Sequence, residues 1–189
     1  MDATDVLYYD LAENEEISPE RLDFIRREAV FVKAKEAAFR YASYQPRTES
    51  EIRARLAEDC PEDMIEQAVA LLKEYNYVDD KAYARDFLRR ELTAKHNGLA
   101  RARFELRRKG VEDSVIDEAV AELGLDEDDE AEAALSALGA KLRGADFPEE
   151  RKEKMRLYGF LARKGFSGSV IREAFERCGT DADEGYEDD

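Results

Sequence analysis

Basic side chains concentrate in one stretch of this 189-residue chain. Between Arg85 and Lys109, nine basic residues stand against three acidic ones, a net charge of +6 in a chain whose total is −16. Because local fields decide what docks on a protein surface, this stretch is a candidate binding surface for phosphates or an acidic protein. An ordinary solvated helix face is the competing interpretation. The predicted contact residues are Arg89, Arg90, Arg101, Arg103, Arg107, Arg108 and Lys109, joined by Arg163 and Lys164.

Residues that could support catalysis are few. His96 is the single histidine, which excludes an HExxH zinc motif, and its polar neighbours favour a surface loop. The acidic run 126–130 lacks the alternation and the glycine of a calcium-binding loop, so it indicates a solvated linker or a helix start. Cys60 and Cys178 lie far apart without metal-type spacing. We therefore predict no catalytic residue, metal or cofactor, and an enzyme is the least favoured class.

The tyrosine pair Tyr75 and Tyr77 allows two interpretations. Tyr75 and Tyr77 could stack on nucleic-acid bases. Tyrosines beside a helix-ending turn also commonly cover a core, and this second interpretation is favoured.

The elements that carry these residues are predicted to be helices. Charged residues make up 40% of the chain, and four prolines and ten glycines are too few for a turn-rich β fold. No apolar run approaches the roughly 18 residues of a membrane span, and the acidic start lacks the order of a signal peptide. With two isolated cysteines, these features predict a soluble protein of a reducing cytoplasm.

A repeated pattern is the most informative feature of the chain. Three stripes place apolar residues at i, i+3, i+4 and i+7, which is one face of a helix. A leucine stands nine or ten residues before each stripe, at Leu56, Leu106 and Leu161. The stripes are Ile65-Ala68-Val69-Leu72, Ile116-Ala119-Val120-Leu123 and Ile171-Ala174-Phe175-Cys178.

Cap signals mark several helix boundaries. Ser18 precedes a proline and an acid, and Thr48 has Glu51 three residues on, which is the capping-box pattern. Gly110 and Gly165 end nearly identical Arg-Lys-Gly turns and suit the left-handed residue that closes a helix.

The repeat predicts an all-α fold, an elongated tandem array of three three-helix repeats with an N-terminal helical extension. Val6 to Tyr9 could form a short strand or an ordered arm. The predicted segments are 1–46 (arm and long helix), 47–96, 97–145 and 146–178 (the three repeats) and 179–189 (an acidic, disordered segment).

The chain resembles the RecX family of bacterial recombinase regulators in four segments that occur in the family's order. Asn76 departs from this pattern, because the family often has glycine there. The four segments are Arg47 to Ile52 with Leu56, Tyr75 to Asp80 with Tyr83-Ala84, Asn97 to Val111, and Phe160 to Phe166.

This resemblance implies a modular chain that binds the RecA filament on single-stranded DNA and inhibits its ATPase, recombination and strand exchange. Such a protein would modulate DNA repair and the SOS response as a cytoplasmic monomer, without membrane contact and with at most weak direct DNA contact. A stand-alone DNA-binding protein and an unrelated helical-repeat scaffold are the alternatives.

Overall fold

The computed structural model describes residues 16–178, which form nine α-helices and no strand. The predicted all-α repeat fold is confirmed. The predictions for Val6 to Tyr9 and for 179–189 lie outside the described residues. The helices are α1 (Pro19–Tyr44), α2 (Glu49–Leu56), α3 (Glu62–Glu74), α4 (Asp80–Thr93), α5 (Leu99–Arg108), α6 (Asp113–Leu123), α7 (Glu127–Leu142), α8 (Arg151–Arg163) and α9 (Gly168–Arg177).

The chain divides into two compact units, with the boundary after Asp79. In the first unit, α1 packs on α2 and α3. Small residues of α1, Ala38 and Ala42, are buried in the same apolar cluster as Ile52, Leu56 and Leu72. This bundle therefore closes around one apolar core.

The second unit contains two apolar clusters. In one, α4 packs on α5 and α6, and Leu88, Leu106 and Ile116 are completely buried. In the other, α7, α8 and α9 meet around Leu161 and Ile171. Helix α4 also contacts α7, so the two clusters adjoin within this unit.

The boundaries of the three clusters differ from those of the predicted segments 47–96, 97–145 and 146–178. Each cluster begins one helix before the corresponding predicted segment. The long helix α1 is a full member of the first bundle, and α4 belongs with α5 and α6. The reason is that a helix between two stripes can pack on either one, and the apolar pattern of α4 is the same in both cases.

The helix caps follow the sequence signals. The Ser18 hydroxyl accepts from the Arg21 amide at 3.2 Å, and Thr48 and Glu51 form the predicted reciprocal capping box. Gly110 and Gly165 take φ values of 79° and 90°, where a side chain is strained. The helices therefore begin and end where the predicted capping residues stand.

Candidate partner-binding surface

Helix α5 carries most of the predicted contact residues. Its apolar side buries Ala102 and Leu106, which leaves the arginines on the remaining surface. The Leu99 amide in its first turn donates to Glu130 Oε1 at 2.7 Å. Burial raises the pKa of the Glu130 carboxyl, and the hydrogen bond from Leu99 opposes that shift. The start of α5 is thus fixed to the first turn of α7.

Two of the α5 arginines form ion pairs with α6. Arg103 pairs with Asp117, and Arg107 Nε donates to Asp113 Oδ1 at 2.6 Å. The Arg103 side chain is only 25% exposed, so its charge is partly enclosed as well as paired. Both charges are thus paired with carboxylates of α6, but only Arg103 is partly enclosed: the side chains of Arg107 and Asp113 are 50% and 63% exposed.

The other side of α5 presents a different row. Arg101, Phe104 and Arg108 stand at i, i+3 and i+7, and all three are exposed, Phe104 by 55%. The Arg108 guanidinium lies 6.0 Å from the Phe104 ring centroid and 3.2 Å from Glu105. Arg101 Nη1 donates to the neutral carbonyl of Arg163 at 3.1 Å. We call Arg101, Phe104 and Arg108 the Arg–Phe face.

Phe104 was not among the predicted contact residues. The helical spacing places it with Arg101 and Arg108, but an apolar residue in an amphipathic helix is first assigned to the core. Its exposure beside the Arg108 guanidinium is the signal for a contact role, because aromatic residues and arginine are enriched at binding surfaces.

The basic residues of α4 make separate contacts. Arg89 lies 3.7 Å from Asp86 and lines a groove of about 430 Å³ beside Leu92 and Leu125. The Arg90 guanidinium lies 5.3 Å from the Phe87 ring centroid. Arg89 and Arg90 are both exposed, so a partner could reach their charges.

The basic residues of the two Arg-Lys-Gly turns differ from each other. Lys109 Nζ lies 5.6 Å from the ring centroid of Tyr83 on α4. Arg163 is exposed, and its carbonyl accepts from Arg101. Lys164 instead points inward: its Nζ donates to the carbonyls of Lys95 and His96 at 2.9 and 3.0 Å and to Asn97 Oδ1 at 2.9 Å.

All three ammonium donors of Lys164 are therefore occupied by acceptors of the α4–α5 turn. Burial lowers the pKa of Lys164, and the nearby positive charge of Arg101 lowers it further, while Glu91 opposes both. Lys164 therefore joins the turn after α8 to the turn before α5.

A buried carboxylate supports the same turn. Glu91 is 2% exposed and accepts from Lys95 Nζ at 2.5 Å and from Asn97 Nδ2 at 2.7 Å. Burial raises the pKa of Glu91, but the hydrogen bonds from Lys95 and Asn97 outweigh it and leave the pKa below its usual value.

Two glycines let the turns touch. The Gly98 amide donates to the Lys164 carbonyl at 2.9 Å, and a Cβ at Gly98 would lie 2.3 Å from the Gly165 carbonyl oxygen. A Cβ at Gly165 would lie 2.5 Å from the Arg101 Cβ. We call residues 95–98 together with 163–165 the turn joint. It holds Arg101, at one end of the Arg–Phe face, against the third bundle.

The fold accounts for the other residues that were considered for catalysis or metal binding. His96 is half-buried with φ at 51°, and the acidic run after Asp126 is the capped first turn of α7. Burial raises the pKa values of Cys60 and Cys178, so their thiolates are disfavoured. Residues 16–178 contain no cluster of His, Cys, Asp or Glu that could hold a metal ion.

The two tyrosines combine features of both interpretations. Tyr75 and Tyr77 pack edge-on against Phe39, with ring centroids 5.9 and 5.0 Å apart, yet they are 61% and 45% exposed. They therefore cover part of the first bundle and also present aromatic surface to solvent.

Comparison with known proteins identifies the family. Models of the first, second and third three-helix domains of RecX match residues 34–72, 79–120 and 128–175. The chain belongs to the RecX family. The three matches coincide with the three apolar clusters, including the grouping of α1 with α2 and α3 and of α4 with α5 and α6.

Individual RecX proteins agree over most of the chain. A regulatory protein RecX of Clostridium botulinum (strain Eklund 17B / Type B) is 32% identical over 86% of this chain and 76% of its own length. Another, of Lactobacillus delbrueckii subsp. bulgaricus, is 33% identical over 94% of this chain and 65% of its own. A crystal structure of a regulatory protein RecX is 31% identical, with a TM-score of 0.72 over 92% of this chain and 85% of that one.

The solved structure of RecX from Lactobacillus salivarius shares the fold. It has a TM-score of 0.72 at 23% identity, and covers 80% of this chain and 98% of that chain. Among the helices of residues 16–178, none has the length and apolar character needed to span a membrane.

One departure from the RecX pattern has a simple structural explanation. Asn76 replaces the common glycine and takes φ at 57° in the turn after α3. Asparagine is among the residues that tolerate this left-handed conformation, so it can replace glycine here. The Tyr77 amide completes it by donating to the Leu72 carbonyl at 2.8 Å.

Proposed function

We propose that this RecX-family chain binds the RecA filament on single-stranded DNA and inhibits its ATPase, recombination and strand-exchange activities. It would thereby modulate DNA repair and the SOS response. It acts in the cytoplasm, as a monomer, through binding rather than catalysis.

The observation that carries this proposal is the ordered match of all three RecX domains to three helical bundles. Each bundle has its own core and its own surface, so each can contact a different part of a partner. Linking several weak contacts raises the effective concentration of the later ones, commonly to the millimolar range. A regulator built this way inhibits below one molecule per filament subunit.

The Arg–Phe face is the surface we assign to the filament. Its two arginines lie on the solvent side of α5, whereas Arg103 and Arg107 are held by carboxylates of α6. Charged residues steer association and set its salt dependence, and Phe104 adds apolar area between the charges. Lys164 contributes indirectly, by holding Arg101 in place through the turn joint.

The test of the function is the ATPase activity of RecA on single-stranded DNA, with this protein titrated in. A fall in the rate at well below one molecule per RecA supports the proposal. An unchanged rate, at DNA concentrations where coating of the DNA is excluded, contradicts it.

A stand-alone DNA-binding protein is the second candidate, and the exposed combination of Phe104 with two arginines favours it. Bases could stack on the ring while phosphates contact the guanidinium groups. This candidate requires tight binding of a dT oligonucleotide without RecA, with affinity that falls steeply as salt rises. Binding that needs RecA supports the filament proposal instead.

A further inference from the structure

The positive charge of the Arg–Phe face is only partly matched by the described part of the chain. Within residues 16–178, the Arg101 side chain donates to a neutral carbonyl. Burial lowers the pKa of the half-buried Lys164, and the positive charge of Arg101 is the second cause that lowers it. Arg108 contacts the Phe104 ring and Glu105, both within one turn of α5, and its exposed ion pair with Glu105 is of a kind that is weak. The face therefore presents a field that an anionic segment would relieve.

The end of α9 and the start of α5 both contact the first turn of α7. The last turn of α9 is fixed by Arg177, which contacts Asp128 in the first turn of α7. Two residues further along that turn, Glu130 accepts from the Leu99 amide at the start of α5. Residues i and i+2 of a helix point to different sides, so the first turn of α7 lies between these two contacts. A chain that continues from Cys178 has to pass this turn, roughly 10–12 Å across, to reach α5.

The sequence that continues from this point is complementary to the face. Residues 179–189 contain six acidic residues and no basic residue. Three acids precede Tyr186 and three follow it, just as an arginine stands on each side of Phe104. Eleven residues can span roughly 36–40 Å when extended, and the face extends only about 10 Å along α5.

We propose that the acidic segment 179–189 docks on the Arg–Phe face and competes with the anionic surface of a partner for it. Each exposed ion pair is weak, but the tether holds the segment at an effective concentration in the millimolar range. The contact therefore forms in the isolated protein and yields to a partner or to salt. The intramolecular contact does not depend on the partner's identity; only its regulatory meaning rests on the proposed function.

A paramagnetic label on the segment tests the contact directly. The label is placed by Gly185→Cys in the full chain with Cys60→Ala and Cys178→Ala, and amide signals of residues 101–108 are recorded without RecA. We expect these signals to lose intensity at low salt and to recover at about 0.5 M salt, where the screening length falls to a few ångströms. Unchanged intensities at α5, or losses centred on another surface, overturn the proposal.

A matched pair of variants shows whether the arginines are responsible. Arg101→Gln with Arg108→Gln should abolish the broadening, whereas Arg103→Gln with Arg107→Gln, which removes the same charge from ion-paired positions, should leave it. Equal effects of both pairs would indicate general attraction of an acidic segment and overturn docking on this face.

The regulatory consequence is measured on RecA. A chain that ends at Cys178 should inhibit the ATPase at roughly three- to tenfold lower concentration than the full chain, because the competing segment is gone. In the Arg101→Gln, Arg108→Gln background, the same truncation should have no such effect. If neither chain inhibits RecA, the proposed function fails, while the label experiment still decides whether the segment docks.

Discussion

Replacing Lys164 by methionine should destabilise the second unit without removing its helices. The substitution keeps the aliphatic stem and deletes three hydrogen bonds of 2.9–3.0 Å, to Lys95, His96 and Asn97. Hydrogen bonds from a charged group are worth about 1.5–3 kcal/mol each, but water can reach this half-buried site and replace part of them. We therefore expect a loss of about 2–3 kcal/mol in the free energy of unfolding.

Two measurements follow this change. Urea unfolding monitored by circular dichroism gives the loss of stability, and hydrogen exchange at the Gly98 amide reports the turn joint itself, because that amide donates to the Lys164 carbonyl. Lys152→Met, an exposed position of α8, is the control with the same change of charge. If Lys164→Met unfolds at the same urea concentration as the control and the Gly98 amide stays protected from exchange, Lys164 does not hold the two turns together.

Three further changes test other parts of the structure. Thr48→Ala should cost about 1 kcal/mol of stability in urea unfolding, because it removes the capping box of α2; a neutral result would contradict that role. Gly98→Ala should lower the free energy of unfolding by about 2 kcal/mol or more, because the added Cβ would clash with the Gly165 backbone in the turn joint. Gly139→Ala, which has open space around it in α7, should instead raise the free energy of unfolding by roughly 0.5–1 kcal/mol. The pKa of Glu91 is lowered by folding, so its ionised form stabilises the protein above the unfolded pKa, and this contribution is lost as pH falls through the folded pKa. The free energy of unfolding of Glu91→Gln should therefore decrease less than that of the wild type as the pH is lowered. Parallel plots of stability against pH for the two proteins would refute this role of Glu91.

The helices and their ends could be predicted from the sequence because the signals are local. The stripe Ile65-Ala68-Val69-Leu72 is entirely buried, and the caps at Ser18 and Thr48 form as predicted. Each of these features depends on residues within one or two turns of each other.

The grouping of helices into bundles depends on distant contacts. Ala38 and Ala42 of α1 do not stand out in the sequence as a core-forming stripe, yet they complete the first core. A helix such as α4, with an apolar side, fits a preceding or a following partner equally well from its pattern alone.

The candidate surface could be located from charge, but its members could not be sorted. Arg103 and Arg107 pair with carboxylates 14 and 6 residues away, and Lys164 bonds to acceptors 67–69 residues earlier in the chain. A count of charges weighs all of these equally with Arg101 and Arg108. Only the folded contacts separate the exposed row from the paired one.

The most direct test of the account compares two double variants in the RecA ATPase assay on single-stranded DNA. Arg101→Gln with Arg108→Gln should raise the concentration needed for half-inhibition about tenfold or more, while the protein stays helical by circular dichroism. Arg103→Gln with Arg107→Gln, which carries the same net charge, should inhibit within about twofold of wild type, because those charges are already paired within the protein. Equal inhibition by both variants, or a loss confined to the second, would contradict the assignment of the Arg–Phe face to the filament.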